Sequence, residues 1–248
     1  MSVTRYKTIN QIVNQIAVET GIAKPAVDVF STNDVAFSQL VVLANACGYE
    51  LLEEAVWEIL VKEHAIVTES TDSGDYDLPD DFAYMFNQTS WDRTNKVPII
   101  GPLSGQDWQY LEGRDLVSHT IYASFRLIEG IYRIFPQPPP DGLNLHFEYI
   151  SRNWVRVSTD PDVFADEVTV ASDVVMYEPV LFERLLKVRF LEARGFDTTA
   201  AASRYDKALQ NWTGRDKAAP VINAGRSRSG IPYLDSLYST PDTGYGSF

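Results

Sequence analysis

Several sets of residues in this chain have types that could do chemistry, so each is weighed against the spacing its chemistry demands. His146 and Glu148 stand two apart and would share one face of a strand, offering a nitrogen and a carboxylate to one ion. A zinc centre takes three or four such ligands, and no neighbouring residue completes the set. Asp72, Asp75 and Asp77 look superficially like a calcium loop, but Asp77 falls where glycine is needed and Ala83 where the bidentate glutamate belongs. Glu53-Glu54 and Asp80-Asp81 are adjacent acids, whereas a glycosidase needs two carboxyl groups about 5–10 Å apart across a cleft. Ser104 lies between Gly101 and Gly105 without the spacing of a nucleophile elbow and suits a helix cap better. The sequence therefore predicts no enzyme, no cofactor and no metal centre. A cell-wall hydrolase built on paired carboxylates is the enzymatic alternative.

Charge narrows the partners. The 248 residues carry a formal charge of −13. Glu50–Asp81 holds eleven acids against Lys62 alone, and Asp160–Glu178 adds six acids and no base. Such a surface repels phosphate, which disfavours stable binding of nucleic acid but suits a wall along which DNA slides without sticking. With 45% hydrophobic and 12% aromatic residues, the chain has the composition of a globular protein. No apolar run approaches the roughly 20 residues that span a bilayer, so no membrane partner is expected. Arg5 and Lys7 are followed by no apolar stretch, so no signal peptide is expected either. The single Cys47 cannot form an internal disulfide.

The elements that must position these residues follow from periodicity and punctuation. Ile9, Ile12, Val13 and Ile16 predict a short helix over 10–20, ended by Gly21 and Pro25. Ser31-Thr32-Asn33-Asp34 reads as a helix start, and Phe37, Leu40, Ala44, Cys47, Leu51 and Ala55 continue it as a helix over 33–56. Gly48 inside that pattern marks a close helix contact or a break. A strand is expected within 58–70, a hairpin at Glu129-Gly130, and a third strand carrying Leu143, Leu145, Phe147 and Tyr149. The three antiparallel strands need a cover, which the helices are expected to supply. Ser104 to Gly113 predicts a helix carrying Trp108, and helices over 179–195 and 197–213 form a hairpin.

The predicted fold is α+β: a helical bundle with a C-terminal helical hairpin packed with a small antiparallel β region, over about 58–70 and 120–157, and an extended C-terminal arm. The domain limits are 1–32 for an N-terminal arm and short helix, 33–213 for the main domain, and 214–248 for the extended arm. The first hairpin helix is apolar around more than half its circumference. Leu181, Phe182, Leu185, Phe190, Tyr205 and Trp212 are therefore expected at an interface with other subunits. In the arm, Arg226 and Arg228 precede Ile231, Tyr233, Leu234, Leu237 and Tyr238, the anchors an extended segment would bury in a partner.

Four segments taken together carry a resemblance. They are Tyr76-x-Leu78-Pro79-x-Asp81-Phe82; Trp91-Asp92-Arg93-Thr94; Pro98 to Ser104, including Gly101-Pro102, with Trp108; and Phe147-Glu148-Tyr149-Ile150-Ser151. In order and spacing they resemble the head-to-tail adaptor, or tail accessory factor, family of short-tailed bacteriophages, with tail tubular protein A as a distant relative. The resemblance covers about 33–212. It implies an α+β subunit in a homo-oligomeric ring of about twelve copies below the portal protein. It also implies a distal β region that receives the next tail component, a nozzle or hub, and a channel for double-stranded DNA. The expected location is the portal–tail junction of the virion, after synthesis in the host bacterial cytoplasm. On that reading 179–212 and 215–248 dock on the portal, 120–157 faces the distal tail, and Asp72, Asp75 and Asp77 line the channel. Leu78-Pro79 would hold the chain extended, Trp91 would anchor the core, and Arg93 would fork onto a carboxylate within the subunit or across an interface.

Overall fold

The computed structural model describes residues 5–25, 27–86, 89–113, 123–158, 160 and 162–216. The protein is mixed α and β, as an α+β reading expects. Helix α1 (Ile9–Glu19) starts from a capping box, in which the Gln11 amide donates to Thr8 Oγ1 and the Thr8 amide to Gln11 Oε1. Its Ile9, Ile12, Val13, Ile16 and Ala17 are all buried. Helix α2 (Val35–Glu54) starts later than expected because Asp34, accepting from the Ala36 amide at 2.9 Å, is the cap. Ser31 belongs instead to a turn held by Asp28. By length and composition α2 could cross a bilayer, which corrects the expectation that no segment would. Eight of its residues, from Ala36 to Leu52, are buried in the core.

Helix α4 (Pro179–Ala193) has proline in its first turn, and helix α5 (Thr199–Asp216) begins where Asp197 accepts from the Thr199 amide. One hydrophobic core joins α1, α2, α4 and α5. Leu181, Phe182, Leu185, Phe190 and Tyr205 lie within it, each at most 7% exposed. They cannot form the expected intersubunit surface. The reason is geometric: α4 is packed by α1, α2 and α5, so its apolar circumference serves the subunit itself. Trp212 is half-buried against the same core.

Gly48 marks the closest approach. A methyl group there would lie 2.1 Å from the Trp154 ring, and the Gly48 carbonyl accepts from the Tyr177 hydroxyl at 3.0 Å. In place of the expected helix contact, Gly48 meets the ring of Trp154 from the loop between residues 151 and 155, and α2 does not break.

The β structure differs from the expected three-stranded sheet. Strand β1 (Val61–Val67) pairs antiparallel with β8 (Asn144–Ser151) over its whole length, and β8 is flanked on its other edge by β3 (Phe82–Met85) and β4 (Trp91–Asp92). Strand β5 (Val97–Pro98) pairs with β4. The hairpin β6 (Ser124–Ile128) and β7 (Ile131–Phe135) forms a separate sheet with β2 (Asp75–Asp77). The proline-rich segment after β7 carries the chain from one sheet to the other, and Thr68 fastens it by donating to the Pro140 carbonyl and accepting from the Leu143 amide. The two sheets share a core in which Phe125, Tyr132 and Phe147 stack with centroids 4.6 and 5.2 Å apart. The cover expected from helices comes from this second sheet. Helix α3 (Gly105–Gly113) adds Trp108, edge-on to Phe135 at 6.2 Å. Strands β9 (Val155–Arg156), β10 (Phe164–Ala165) and β11 (Val174–Val175) form a third small sheet.

Alanine in a helix interior is favoured over glycine by about 1 kcal/mol, but at Gly48 its methyl would drive into Trp154. Gly48→Ala should therefore lower the unfolding free energy by about 2 kcal/mol in denaturant titration. A gain of stability would show that Trp154 is not seated on α2.

Candidate functional site

The first, second and fourth of the segments that carry the resemblance meet at β8. Pro79 closes a turn by accepting from the Phe82 amide at 2.9 Å, with Leu78 half-buried against the sandwich core. The turn aims Asp81 at both long strands. Its carboxylate accepts from Lys62 of β1 at 2.6 Å and from Tyr149 and Ser151 of β8 at 2.8 and 2.7 Å. Its carbonyl accepts from the Arg152 amide at 2.7 Å. Burial works to raise the Asp81 carboxyl, but the donors Lys62, Ser151 and Tyr149 outweigh it and hold the group below its ordinary value. Phe82 stacks on Tyr149 at 5.7 Å, while the Tyr76 hydroxyl donates to Asp72 at 2.8 Å.

In the second segment the roles differ from expectation. Trp91 is only half-buried, so it is not the core anchor; the fully buried residue is its neighbour Asp92. Asp92 accepts from the Thr94 amide at 2.8 Å and from Asn95 Nδ2 at 2.7 Å, which builds the β4–β5 turn. Thr94 bridges to the Gly142 carbonyl and the Asn144 amide, both at 3.0 Å. Arg93 reaches Glu63 of the same subunit through one nitrogen, without forking. His146 contacts the same carboxylate.

The third segment runs beside β6. Ile100 makes a parallel bridge to Ser124, and a methyl group on Gly101 would lie 2.5 Å from the Phe125 ring. Only glycine fits so close to the aromatic stack. The Gly101–Pro102 peptide is cis, and Ser104 accepts from the Asp107 amide to start α3, as its spacing foretold.

The residues considered for chemistry are drawn apart. Glu54 accepts from the Tyr205 hydroxyl, whose titration burial and then this carboxylate push upward, leaving it a donor at neutral pH. Asp81 is committed as described, so the adjacent acids do not face one another across a cleft. Asp72 is held by Tyr76 and by the Glu69 amide, and Asp75 takes two hydrogen bonds from Arg133 at 2.6 and 2.9 Å. Of the three acids expected to line a channel, only Asp77 is exposed. Among the described residues no group of three histidines, cysteines or acids could hold a metal ion. Arg226, Arg228, Ile231, Tyr233, Leu234, Leu237 and Tyr238 lie outside the described residues.

Sequence reasoning passed over one surface. A groove of about 490 Å³ between α1, α4 and α5 is lined by Val180, Arg184, Leu191 and Arg204 among others. No protein-family model matches the chain, and no curated protein is significantly similar to it.

Because Asp81 titrates below its ordinary value, its contribution to stability is complete above the unfolded-state value, near 3.8, and is lost as pH falls through the folded one. Asp81→Ala leaves Lys62, Tyr149 and Ser151 without their acceptor and should cost about 2–3 kcal/mol at neutral pH. It should also flatten the acid limb of the stability curve. An unchanged acid limb would remove Asp81 from this role.

Proposed function

We propose that this chain is a structural head-to-tail adaptor of a short-tailed phage, a ring-forming subunit below the portal that joins capsid to tail and surrounds the DNA exit channel. One observation carries the reading. Segments far apart in sequence, whose joint order resembles the adaptor family, are bonded to one another: Asp81 of the first to Tyr149 and Ser151 of the fourth, and Trp91 of the second to Pro98 of the third. These bonds support reading the segments together.

On this reading the helical layer is a bundle whose hairpin leads into the arm, and the β region points toward the distal tail. The large apolar residues of α4 are occupied within the subunit, so portal binding falls to the arm, through Ile231, Tyr233, Leu234, Leu237 and Tyr238. The exposed Asp77 is the channel acid of choice, since Asp72 and Asp75 brace the β2–β7 sheet. No observation favours the hydrolase alternative, whose Glu54 and Asp81 already serve as acceptors for Tyr205 and for the β1–β8 pair.

Mixed with the portal protein of the same phage, the full chain should raise the portal's native mass by about twelve subunits. A chain lacking 217–248 should keep its circular dichroism and melting point yet lose capture, the cut being placed there because α5 runs to Asp216. Undiminished capture would remove the arm from the reading. Failure of the full chain to be captured, or its turnover of purified cell wall, would overturn the adaptor itself.

A further inference from the structure

Among the described residues, strand β1 is paired on one side only. Its register with β8 runs unshifted from Val61 opposite Ile150 to Val67 opposite Asn144, and the Thr68 amide extends the ladder by donating to the Leu143 carbonyl at 3.0 Å. In an antiparallel ladder, residues whose backbone groups point at the partner alternate with residues whose groups point away. Lys62, His64 and Ile66 share the parity of Thr68 and turn their backbone to β8. Val61, Glu63, Ala65 and Val67 turn theirs to the open edge. The far side of β8 agrees: the Asn144 and Glu148 carbonyls, opposite Val67 and Glu63, accept from the Arg93 and Phe86 amides. Open edges are ordinarily protected by an edge lysine, a proline, a bulge or short length. Strand β1 has seven residues, no proline, no glycine and no register shift. Lys62 and Glu63 are drawn back to their own subunit, the first to Asp81 at 2.6 Å and the second to Arg93 and His146. Glu63, Ala65 and Val67 are exposed, Val67 to 64%.

An edge of this kind is satisfied by another extended backbone, and the strand complements itself. The other described strands at the margin of a sheet have two to five residues, so within this chain only β1 matches β1 in length. Laid antiparallel on a second copy about a two-fold axis through His64, it pairs from end to end. Val61 then faces Val67 of the second copy, Lys62 faces Ile66, Glu63 faces Ala65, and His64 faces itself. Outward residues meet outward residues, so each free N–H and C=O of the edge gains a partner. No two carboxylates or ammonium groups oppose, and the exposed Val67 gains an aliphatic neighbour. Sliding the copies by two residues sets Glu63 against Glu63 in one direction and carries Val61 and Lys62 past the end of the strand in the other. We infer that the open edge of β1 docks β1 of a second copy of this chain, antiparallel and in full register. The contact is isologous and closes at two copies. It describes the chain away from a portal and goes beyond the adaptor reading, on which it does not depend.

Sedimentation equilibrium of the full chain should show a monomer–dimer equilibrium with a dissociation constant on the order of 10 µM. A65E sets a carboxylate opposite Glu63 of the second copy at both symmetric positions and should weaken the dimer about tenfold or more. A65K sets an ammonium group in the same place and should leave the dimer as tight as the natural one or tighter. Both variants should keep the circular dichroism of the natural chain, since Ala65 is exposed and its backbone groups point away from β8. Residues facing each other across the axis at His64 form a non-hydrogen-bonded pair with Cα atoms about 4.5 Å apart, within disulfide reach. H64C should therefore crosslink to itself on mild oxidation, while V42C, on the exposed face of α2, should not; the natural Cys47 is buried. A natural chain that stays monomeric at about 0.1 mM overturns the inference. A dimer weakened equally by A65E and A65K, one indifferent to A65E, or one in which H64C fails to crosslink runs through another surface and overturns it too.

Discussion

Strand β8 has to serve two hydrophobic cores at once, and the rest of the molecule is arranged around that demand. Leu145, Phe147 and Tyr149 point into the space between the sheets, while Ile150, on the opposite face, enters the helical core together with Trp154 and Val155 just beyond the strand. On that outer face His146 and Glu148 meet solvent, so the same side of one strand is wet at one end and covered at the other. A one-residue slip in the β1–β8 register would exchange these faces and spoil both cores together. Asp81 opposes that slip, since its carboxylate holds Lys62, Tyr149 and Ser151 in a single alignment.

The helices were legible in the sequence because their causes are local. Apolar spacing, Pro179, Gly195 and the acids at Asp34 and Asp197 lie within a turn or two of what they control. The sheets were less legible. Alternation marks Phe125 and Phe147 as inward-facing but does not say that they face each other from different sheets, a matter decided by the path through Pro136–Gly142 and its clasp at Thr68. Apolar content alone also misled at α4, since a helix hydrophobic on most sides is equally a central helix and a sticky one. Burial distinguishes the two.

The candidate site shows the same division. Asp81 and Gly101 were marked as motif residues, and their roles appear only with their partners: three donors for one, an aromatic ring for the other. Trp91 and Asp92 exchanged the roles that residue type suggested, because the tight β4–β5 turn needs a buried acceptor more than the sheet needs another ring. The groove between α1, α4 and α5 could not be seen as a pattern. Its residues come from three helices and share nothing in sequence but the sign of two arginines.

Helix α5 lies at the outside of the helical layer, with Tyr205 and Ala208 as its buried residues and the Tyr205–Glu54 hydrogen bond tying it back to α2. α5 is thus fastened to two helices, by packing on α4 and by the Tyr205–Glu54 bond to α2, so a pull on the chain beyond Asp216 is shared between them before it reaches the sandwich.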